Sequence, residues 1–298
     1  MTDGSHFDPG WKDEKNSLRS SYIDMSTRRR YRGSLRAAIL DWAGTTVDHG
    51  SLAPVRVLVD LFKNRDLKIT DEEARLDMGL LKKDHIRSIL RIGRVKSMWI
   101  DRFGRLPSDS DVEEIFEEFV PRQLQCLAEY SGLIPGVTDA VETMRSRGMR
   151  IGSTTGYTRP MLNMLLECAA AQGYRPDSAV CPDDVGAGRP FPWMCYQNAI
   201  QLNVYPMGAF VKIGDTVSDI EEGLNAGMWS VAVVRTGNEI GLSEQDFFVL
   251  PASDQCSLLE AGRERLRRAG AHYVIDSVEE VRPVLDLIDE RLARGEKP

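Results

Sequence analysis

The chain has 298 residues, of which 42% are hydrophobic and 28% are charged, an ordinary composition for a soluble globular protein with a sizeable core. The formal net charge of −7 excludes the broad positive surface potential that a nucleic-acid-binding protein needs. The five cysteines are scattered, with no C-x-x-C pair, so neither a disulfide framework nor a zinc site is expected.

Residues 1–34 are rich in serine, arginine, aspartate and glycine and show no sustained hydrophobic period. This pattern predicts a disordered N-terminal extension. The extension has no apolar segment like that of a secretory signal, and no apolar run along the chain approaches membrane-spanning length. We therefore expect a cytoplasmic protein that has no membrane partner.

Short apolar runs recur from residue 35 onward, and each is followed by a helical pattern. The runs are LRAAILD, MRIGSTT, DSAVCP, AFVKIGD and WSVAVVR. Strands that alternate with helices predict an α/β protein with a parallel sheet covered on both faces. Because ligands bind beyond the carboxyl ends of such strands, the polar residues there should share one crevice. These residues are Asp41, Thr154, Thr155, Asp183, Asp184 and Asp215.

The segment at about residues 52–130 lies between the first two predicted strands and places apolar residues at helical spacing almost throughout. Its helical stretches are PVRVLVDLFKNRDL, DEEARLDMGLLKKDHIRSILRI and SDVEEIFEEFVPRQLQCLAEY. An insertion of this size predicts a helical cap domain at residues 53–129, over a core domain built from residues 35–52 and 130–298. The alternative is a helical subdomain that only stabilises the core or forms a dimer surface.

Four motifs at the strand ends, taken in order, resemble the haloacid dehalogenase superfamily. They are DWAGTTVD at residues 41–48, GSTTGYT at 152–158, GRPFPWM at 188–194 and GDTVSD at 214–219. An aspartate that follows an apolar run is by itself most often a turn former or a helix cap. All four motifs together instead favour an enzyme with Asp41 in its active site.

A carboxylate such as Asp41 can attack phosphorus and form an acyl phosphate, provided that a cation neutralises the repulsion between the two anions. Mg²⁺ suits this purpose, and its expected ligands are Asp41, Asp215 and the backbone carbonyl of Ala43. Asp219 is expected to orient a ligand water from further out.

Phosphoryl oxygens need hydrogen-bond donors, and two of the motifs supply them. Thr155 and the amides around Gly156 lie at a strand-to-helix turn, where the helix N-terminus favours negative charge. Arg189 offers a planar guanidinium suited to bidentate contact with phosphate or with the Asp41 carboxylate. Each of these residues alone could equally be a helix cap or a surface ion pair.

In phosphatases of this superfamily the first motif reads D-x-D-G-T, and its second aspartate protonates the departing alkoxide. Here that position is Ala43, and Asp48 lies too far along the chain to be the obvious replacement. Without a general acid the rate falls by about a hundredfold or more, so ordinary ester hydrolysis is not expected. The leaving group should be one that needs no proton from this residue.

A carbon leaving group next to a carbonyl meets this requirement if a lysine amine first converts the carbonyl into an iminium that absorbs the electron pair. The cap stretch MGLLKKDHIR offers Lys82, with His85 on the same face of the predicted helix. Burial beside Met78 would lower the pKa of Lys82 and favour its neutral amine. Lys83 lies about 100° around the helix and is expected to face solvent.

Together with PDDVGAGRPFPWMCY, these segments closely resemble the phosphonatase family, the phosphonoacetaldehyde hydrolases, from about residue 35 to the end of the chain. The resemblance implies a Rossmann-like core with a helical cap, a bound Mg²⁺ and a homodimer. It also implies hydrolysis of a small phosphonate, phosphonoacetaldehyde, to acetaldehyde and phosphate during the breakdown of 2-aminoethylphosphonate.

The resemblance assigns a role to each matched residue. It makes Asp41 the nucleophile and Lys82 the Schiff-base amine, and it lets His85 assist proton transfers around the imine. The residues expected to bind or surround the substrate are Thr155, Gly156, Tyr157, Arg189, Met78 and Ser51, and those expected to hold or support the metal are Asp41, Ala43, Asp215 and Asp219. Ser51 stands where the family often carries cysteine, and Gly186 where proline is common, which we expect to tune the site without abolishing it.

Two other functions stay open at this point. One is another hydrolase of the superfamily, such as a 2-haloacid dehalogenase or an atypical phosphatase, although a dehalogenase needs neither a metal nor a Schiff-base lysine. The other is a non-catalytic scaffold with the same fold. A scaffold has no reason to keep Asp41, Lys82 and Arg189 together.

Overall fold

In the computed structural model, which describes residues 31–298, six parallel strands form one sheet. The strands are β1 (Ala37–Leu40), β2 (Arg150–Thr154), β3 (Ser178–Val180), β4 (Phe210–Gly214), β5 (Trp229–Val233) and β6 (Tyr273–Ile275). Their order across the sheet is β3-β2-β1-β4-β5-β6. Most of the predicted extension at residues 1–34 lies outside the described residues.

The strand β1 lies inside the sheet, because it pairs with β2 on one side and with β4 on the other. Leu40, its last residue, is in register with Ser153 and with Ile213. The segments that follow these three strands therefore leave the sheet side by side. Every residue of β1 and β4 is buried, as expected of strands covered on both faces. The predicted α/β fold with a parallel sheet is confirmed.

Five helices, which we call the cap, lie between β1 and β2 and occupy residues 52–127. They are α1 (Leu52–Lys63), α2 (Asp71–Arg75), α3 (Lys82–Arg91), α4 (Gly93–Phe103) and α5 (Asp109–Leu127). The periodicity of residues 71–92 predicts a helical stretch throughout, but the structure has a loop there that separates α2 from α3. Asp77 and Gly79 in this loop have φ angles of 58° and 91°, which a continuing helix does not allow.

Seven α-helices follow the cap and pack around the sheet. They are α6 (Val137–Ser146), α7 (Arg159–Ala171), α8 (Trp193–Leu202), α9 (Val217–Ala226), α10 (Glu244–Val249), α11 (Ala252–Arg268) and α12 (Val281–Ala293). Helix α9 is capped by Thr216, whose Oγ1 accepts a hydrogen bond from the backbone amide of Asp219 at 3.2 Å. This cap fixes the start of α9, directly after the carboxyl end of β4.

The apolar core is continuous from the sheet into the cap. Leu40 of β1, Leu58 of α1 and Phe119 of α5 belong to one cluster of buried side chains. Trp42, in the loop after β1, is fully buried and packs against Tyr174 with the ring centroids 5.6 Å apart. Truncating such a buried aromatic residue costs about 3–5 kcal/mol, so this packing holds the loop firmly in place.

Within residues 31–298, no helix combines the length and the hydrophobicity needed to cross a bilayer. All five cysteines are free thiols. Cys181 and Cys195 are buried, whereas Cys256 is exposed.

Candidate active site

Asp41 lies directly beyond the carboxyl end of β1. Its backbone amide donates to the carbonyl of Ile213 at 2.9 Å, which continues the pairing of β1 with β4. Its side chain is buried, and its Oδ1 accepts from Arg189 Nη2 at 2.6 Å. Burial raises the pKa of Asp41, although the Arg189 guanidinium opposes this shift. The sheet thus holds the predicted nucleophile in a fixed position beside a cation.

Asp41, Asp215 and Asp219 form a buried acidic cluster, in which each residue offers a carboxylate oxygen within 4.8 Å of the others. Asp215 follows β4 and accepts hydrogen bonds from Thr45 Oγ1 at 3.1 Å and from the backbone amide of Asn238 at 2.8 Å. Burial, together with the carboxylates of Asp41 and Asp219, raises the pKa of Asp215 well above its usual range. A bound cation relieves such repulsion.

Asp219 has both of its carboxylate oxygens engaged by neighbouring side chains. Its Oδ1 accepts from Lys212 Nζ at 2.6 Å and lies 3.0 Å from Arg189 Nη2. Its Oδ2 accepts from Thr216 Oγ1 at 2.6 Å. Burial opposes ionisation of Asp219, but Arg189 and Lys212 outweigh it and lower the pKa. These contacts suit a residue that supports the acidic cluster.

The network of buried ion pairs that includes the cluster contains more carboxylates than cations. The carboxylates are those of Asp41, Asp215, Asp219 and Glu222, and the cations are those of Arg189 and Lys212. With all six groups ionised, the set carries a net charge of −2, which one divalent cation would neutralise. A donor set made of oxygen atoms suits a hard cation. The residues present therefore fit a divalent metal ion.

Thr155 and Gly156 lie in the turn between β2 and α7, and both line a cavity next to Asp41. Thr155 Oγ1 accepts from the backbone amide of Tyr157 at 3.1 Å, which holds the turn in shape. Arg189 is buried and approaches Asp41 from the loop before α8. The structure thus brings the three predicted phosphoryl-binding residues together around one space.

Lys82 is the first residue of α3, and its side chain is buried in the same cavity as Asp41. Its Nζ lies 3.7 Å from Met78 Sδ and 5.4 Å from the centre of the Tyr157 ring. Burial lowers the pKa of Lys82 to about 8, although Asp41 partly opposes this effect. The neutral amine is therefore accessible near neutral pH, as a Schiff-base lysine requires.

His85 lies one turn after Lys82 but does not line the cavity. Its Nε2 is 3.0 Å from the carbonyl oxygen of Ala74, and because a carbonyl can only accept, Nε2 carries the ring proton. Its Nδ1 has no hydrogen-bond partner among residues 31–298. Burial and the nearby Lys82 charge lower the pKa of His85 to about 3, so the ring is neutral.

A small cavity lies between the cap and the core at this site. Its lining includes nine residues predicted from the sequence, namely Asp41, Ala43, Ser51, Met78, Lys82, Thr155, Gly156, Tyr157 and Arg189. A volume of only about 20 Å³ is open to the centre of a water molecule, which is room for about one water. The cap therefore leaves little free space around Asp41.

A core glycine allows the cap loop at residues 76–81 to reach the site. A Cβ on Gly156 would lie only 2.7 Å from the carbonyl oxygen of Gly79. Ser218 Oγ, at the start of α9, donates to the carbonyl of Met78 at 3.0 Å. Because the loop leads directly into α3, these contacts place the first residue of α3 at the carboxyl edge of the sheet.

The chain matches the family model of haloacid dehalogenase-like hydrolases over residues 35–227. It is 49% identical to the phosphonoacetaldehyde hydrolase of Bacillus cytotoxicus, over 86% of this chain and 97% of the relative. A phosphonoacetaldehyde hydrolase-like protein of Syntrophobacter fumaroxidans is 48% identical, with 90% of this chain and 97% of the relative covered. The crystal structure of a phosphonoacetaldehyde hydrolase-like protein from Oleispira antarctica matches with a TM-score of 0.89 at 42% identity, covering 91% of this chain and 98% of that one.

The chain belongs to the phosphonoacetaldehyde hydrolase family. The resemblance inferred from the motifs is therefore confirmed, and the protein is a hydrolase with the haloacid dehalogenase fold. Solved structures at lower identity, such as the β-phosphoglucomutase from Clostridium difficile at 17% and a TM-score of 0.62, share this fold.

In this member of the phosphonoacetaldehyde hydrolase family, Asp48 is buried but does not line the cavity that contains Ala43. Its Oδ1 and Oδ2 accept from the backbone amides of Leu52 and Ala53, each at 3.0 Å. Burial raises the pKa of Asp48 to about 7, although the two amides oppose this shift. Both oxygens thus accept hydrogen bonds from the first two residues of α1, so Asp48 supports the start of this helix.

Sequence reasoning missed two buried charged residues beside the site, Lys212 and Glu222. Lys212 lies inside β4 and Glu222 inside α9, and neither is exposed to solvent. One signal was available for Glu222, because it follows Asp219 by three residues and so shares its face of the helix. The signal for Lys212 was its place in the run AFVKIGD, within a sheet expected to be covered on both faces.

Proposed function

We propose that this chain cleaves the carbon–phosphorus bond of phosphonoacetaldehyde by hydrolysis, giving acetaldehyde and phosphate, as a step in the breakdown of 2-aminoethylphosphonate. The observation that carries the proposal is the buried amine of Lys82, which shares a cavity with the Asp41 carboxylate and the Arg189 guanidinium. Relatives named phosphonoacetaldehyde hydrolase, at 46% to 49% identity, support this choice of substrate. A 2-haloacid dehalogenase would have no use for the amine.

The first half of the reaction joins the substrate to two side chains. The neutral amine of Lys82 condenses with the aldehyde, which releases water and leaves an imine, and this imine takes up one proton to become an iminium. A carboxylate oxygen of Asp41 then forms a bond to phosphorus as the carbon–phosphorus bond breaks. The electron pair of the broken bond moves into the iminium, giving an enamine on Lys82 and an acyl phosphate on Asp41. Thr155, the Gly156 amide and Arg189 stabilise the charge on the phosphoryl oxygens.

The second half of the reaction frees both side chains. Protonation of the enamine carbon restores an imine, and water releases acetaldehyde and the Lys82 amine. A second water hydrolyses the acyl phosphate on Asp41 and releases phosphate. The carbon takes its proton only after it has left phosphorus, which is why Ala43 can stand where a phosphatase has an acid. His85, through its unpaired Nδ1, is the proposed partner for proton transfers around the imine.

Mg²⁺ is the proposed metal, with Asp41, Asp215 and the carbonyl of Ala43 as ligands and Asp219 as support. The ion would neutralise the repulsion between the Asp41 carboxylate and the phosphonate. The excess negative charge of the buried carboxylates supports this assignment.

Met78, Tyr157 and Ser51 are proposed to surround the substrate and to exclude water while the carbon–phosphorus bond breaks. We also propose that the protein works in the cytoplasm as a homodimer, as the family resemblance implies. Light scattering of the purified protein should give twice the chain mass of 33.4 kDa. A monomeric mass would contradict the dimer.

The activity test measures acetaldehyde and phosphate released from phosphonoacetaldehyde in the presence of Mg²⁺. We expect equal amounts of the two products from the wild-type chain and none from Lys82→Ala. Lys83→Ala is a matched control with an expected wild-type rate, because Lys83 pairs with Glu113 at 2.7 Å and its side chain is 37% exposed. An active Lys82→Ala variant, or an inactive wild-type chain, would refute the proposal.

A further inference from the structure

Glu222 is a buried carboxylate behind the active site that none of the steps above uses. It lies in α9, three residues after Asp219, and its side chain has no exposed surface. It is not a member of the acidic cluster that could hold a metal. Because a buried charge is costly unless it is paired, its position requires a partner.

The hydrogen bonds of Glu222 connect it to Arg189. Its Oε2 accepts from Arg189 Nε and from Thr154 Oγ1, both at 3.0 Å. Thr154 Oγ1 in turn accepts from Arg189 Nη2 at 2.8 Å. The same Nη2 donates to Asp41 Oδ1 at 2.6 Å. Glu222 and Thr154 thus hold one edge of the guanidinium while Nη2 reaches the carboxylate of Asp41.

Lys212 is the other cation near Glu222, but it lies further away. Its Nζ is 3.6 Å from Glu222 Oε2, whereas it is 2.6 Å from Asp219 Oδ1. The second oxygen of Glu222, Oε1, has no hydrogen-bond partner within the described part of the chain. The hydrogen bonding of Glu222 is therefore concentrated in the one oxygen that contacts Arg189.

We propose that Glu222 is a positioning residue, whose Oε2 fixes the orientation of Arg189 so that the guanidinium contacts the phosphoryl group at Asp41. Such a restraint is needed because Arg189 Nη2 also lies 3.0 Å from Asp219 Oδ1, which competes for it. A guanidinium is planar and rotates as one body, so a hydrogen bond that fixes Nε also fixes Nη2. This inference rests on the proposed function for the identity of the phosphoryl substrate.

Two conservative variants separate the position of Glu222 from its charge. Glu222→Gln keeps an oxygen acceptor for Arg189 Nε but removes the charge, and its amide nitrogen takes the place of the unpartnered Oε1. Glu222→Asp keeps the charge but withdraws the carboxylate by one carbon–carbon bond. A positioning role predicts that Glu222→Gln keeps kcat within about threefold, whereas Glu222→Asp loses about tenfold or more.

Two further measurements show whether the Glu222 variants impair imine formation or the binding of phosphate. Borohydride trapping of the imine on Lys82 should proceed as in wild type in both variants, since Glu222 acts on the phosphoryl site. Inorganic phosphate, titrated by calorimetry in the presence of Mg²⁺, should bind about tenfold more weakly to Glu222→Asp than to wild type. Phosphate binding requires no turnover of phosphonoacetaldehyde. A failure of the proposed reaction is therefore distinguishable from a failure of this inference.

The Arg189→Lys background provides a second, independent measurement. Lysine has no Nε, so adding Glu222→Asp to Arg189→Lys should cause no further loss of phosphate affinity. A further loss as large as in the wild-type background would overturn the inference. Equal losses of kcat in Glu222→Gln and Glu222→Asp, a larger loss in Glu222→Gln, or no loss in either variant would also overturn it. A larger loss in Glu222→Gln would assign Glu222 to charge balance, because only that variant removes the charge.

Discussion

At the scale of single residues, the reaction depends on the charge of Lys82. Burial lowers the pKa of its amine from 10.5 to about 8. The neutral amine is the nucleophile, so the rate of imine formation should rise with pH and level off above this pKa. The variant Asp41→Asn lacks the charge that partly offsets this lowering of the Lys82 pKa. Its rate of borohydride trapping with phosphonoacetaldehyde, measured against pH, should therefore have its midpoint at or below about pH 8. A midpoint near the ordinary value of 10.5 would contradict this assignment.

Most residues of the site could be predicted because their motifs follow strands, and parallel strands bring their carboxyl ends together. Asp41 and Asp215 are examples, since β1 and β4 are neighbours. Lys212 and Glu222 could not be predicted in this way. Neither residue stands at the end of a strand, and Glu222 follows another glutamate in α9. Their burial depends on how α9 packs against β4 and β5.

At the scale of elements, closure of the site depends on the approach of the 76–81 loop to the turn after β2. Gly156→Ala would place a Cβ 2.7 Å from the carbonyl oxygen of Gly79, so the cap would have to withdraw. We expect kcat to fall by about tenfold or more in the acetaldehyde assay. Gly132→Ala is the matched control, because a Cβ there meets nothing within 4 Å. Equal kcat values in the two variants would contradict the role of this contact.

The start of α1 provides a second prediction for an element. Asp48→Ala removes the acceptors for the amides of Leu52 and Ala53 and should lower the free energy of unfolding by about 0.5–2 kcal/mol. Asp48→Asn should lose less, because its amide oxygen still accepts one bond and asparagine tolerates the φ of 56° at this position. Urea unfolding of the three chains measures both differences. Identical free energies of unfolding would show that Asp48 does not stabilise the helix.

The elements themselves were predictable to different degrees. The strands β1 to β5 follow from apolar runs, whereas β6 is only three residues long, with two of them partly exposed, and gives no clear run. The break between α2 and α3 also escaped prediction, because the apolar spacing continues through the loop. The helix ends because the backbone of Leu76 is extended, with a ψ of 132°, and the positive φ angles of Asp77 and Gly79 keep it from resuming, none of which periodicity reports.

At the scale of the whole molecule, one buried network carries a net charge of −2 when all its groups are ionised, which opposes folding without metal. Its groups are those of Asp41, Asp215, Asp219, Glu222, Arg189 and Lys212. Mg²⁺ should therefore raise the Tm, with a stabilisation of about 2.7 kcal/mol at a hundredfold excess over its dissociation constant. Without Mg²⁺, Asp215→Asn should be at least as stable as wild type. Adding Mg²⁺ should raise its Tm by less than it raises that of wild type. Calorimetry with and without Mg²⁺ measures these differences, and an equal gain in both chains would contradict Asp215 as a ligand.

The proposed reaction requires the closed molecule to bring a lysine of the cap and an aspartate of the core onto one substrate. The most direct measurement is borohydride reduction of the protein with phosphonoacetaldehyde and Mg²⁺, followed by mass spectrometry of its peptides. We expect an ethyl group on Lys82 of the wild-type chain, because phosphorus has left before reduction, and a phosphonoethyl group on Lys82 of Asp41→Asn. A substrate-dependent adduct on Lys83 in place of Lys82, or no adduct in either chain, would contradict the mechanism.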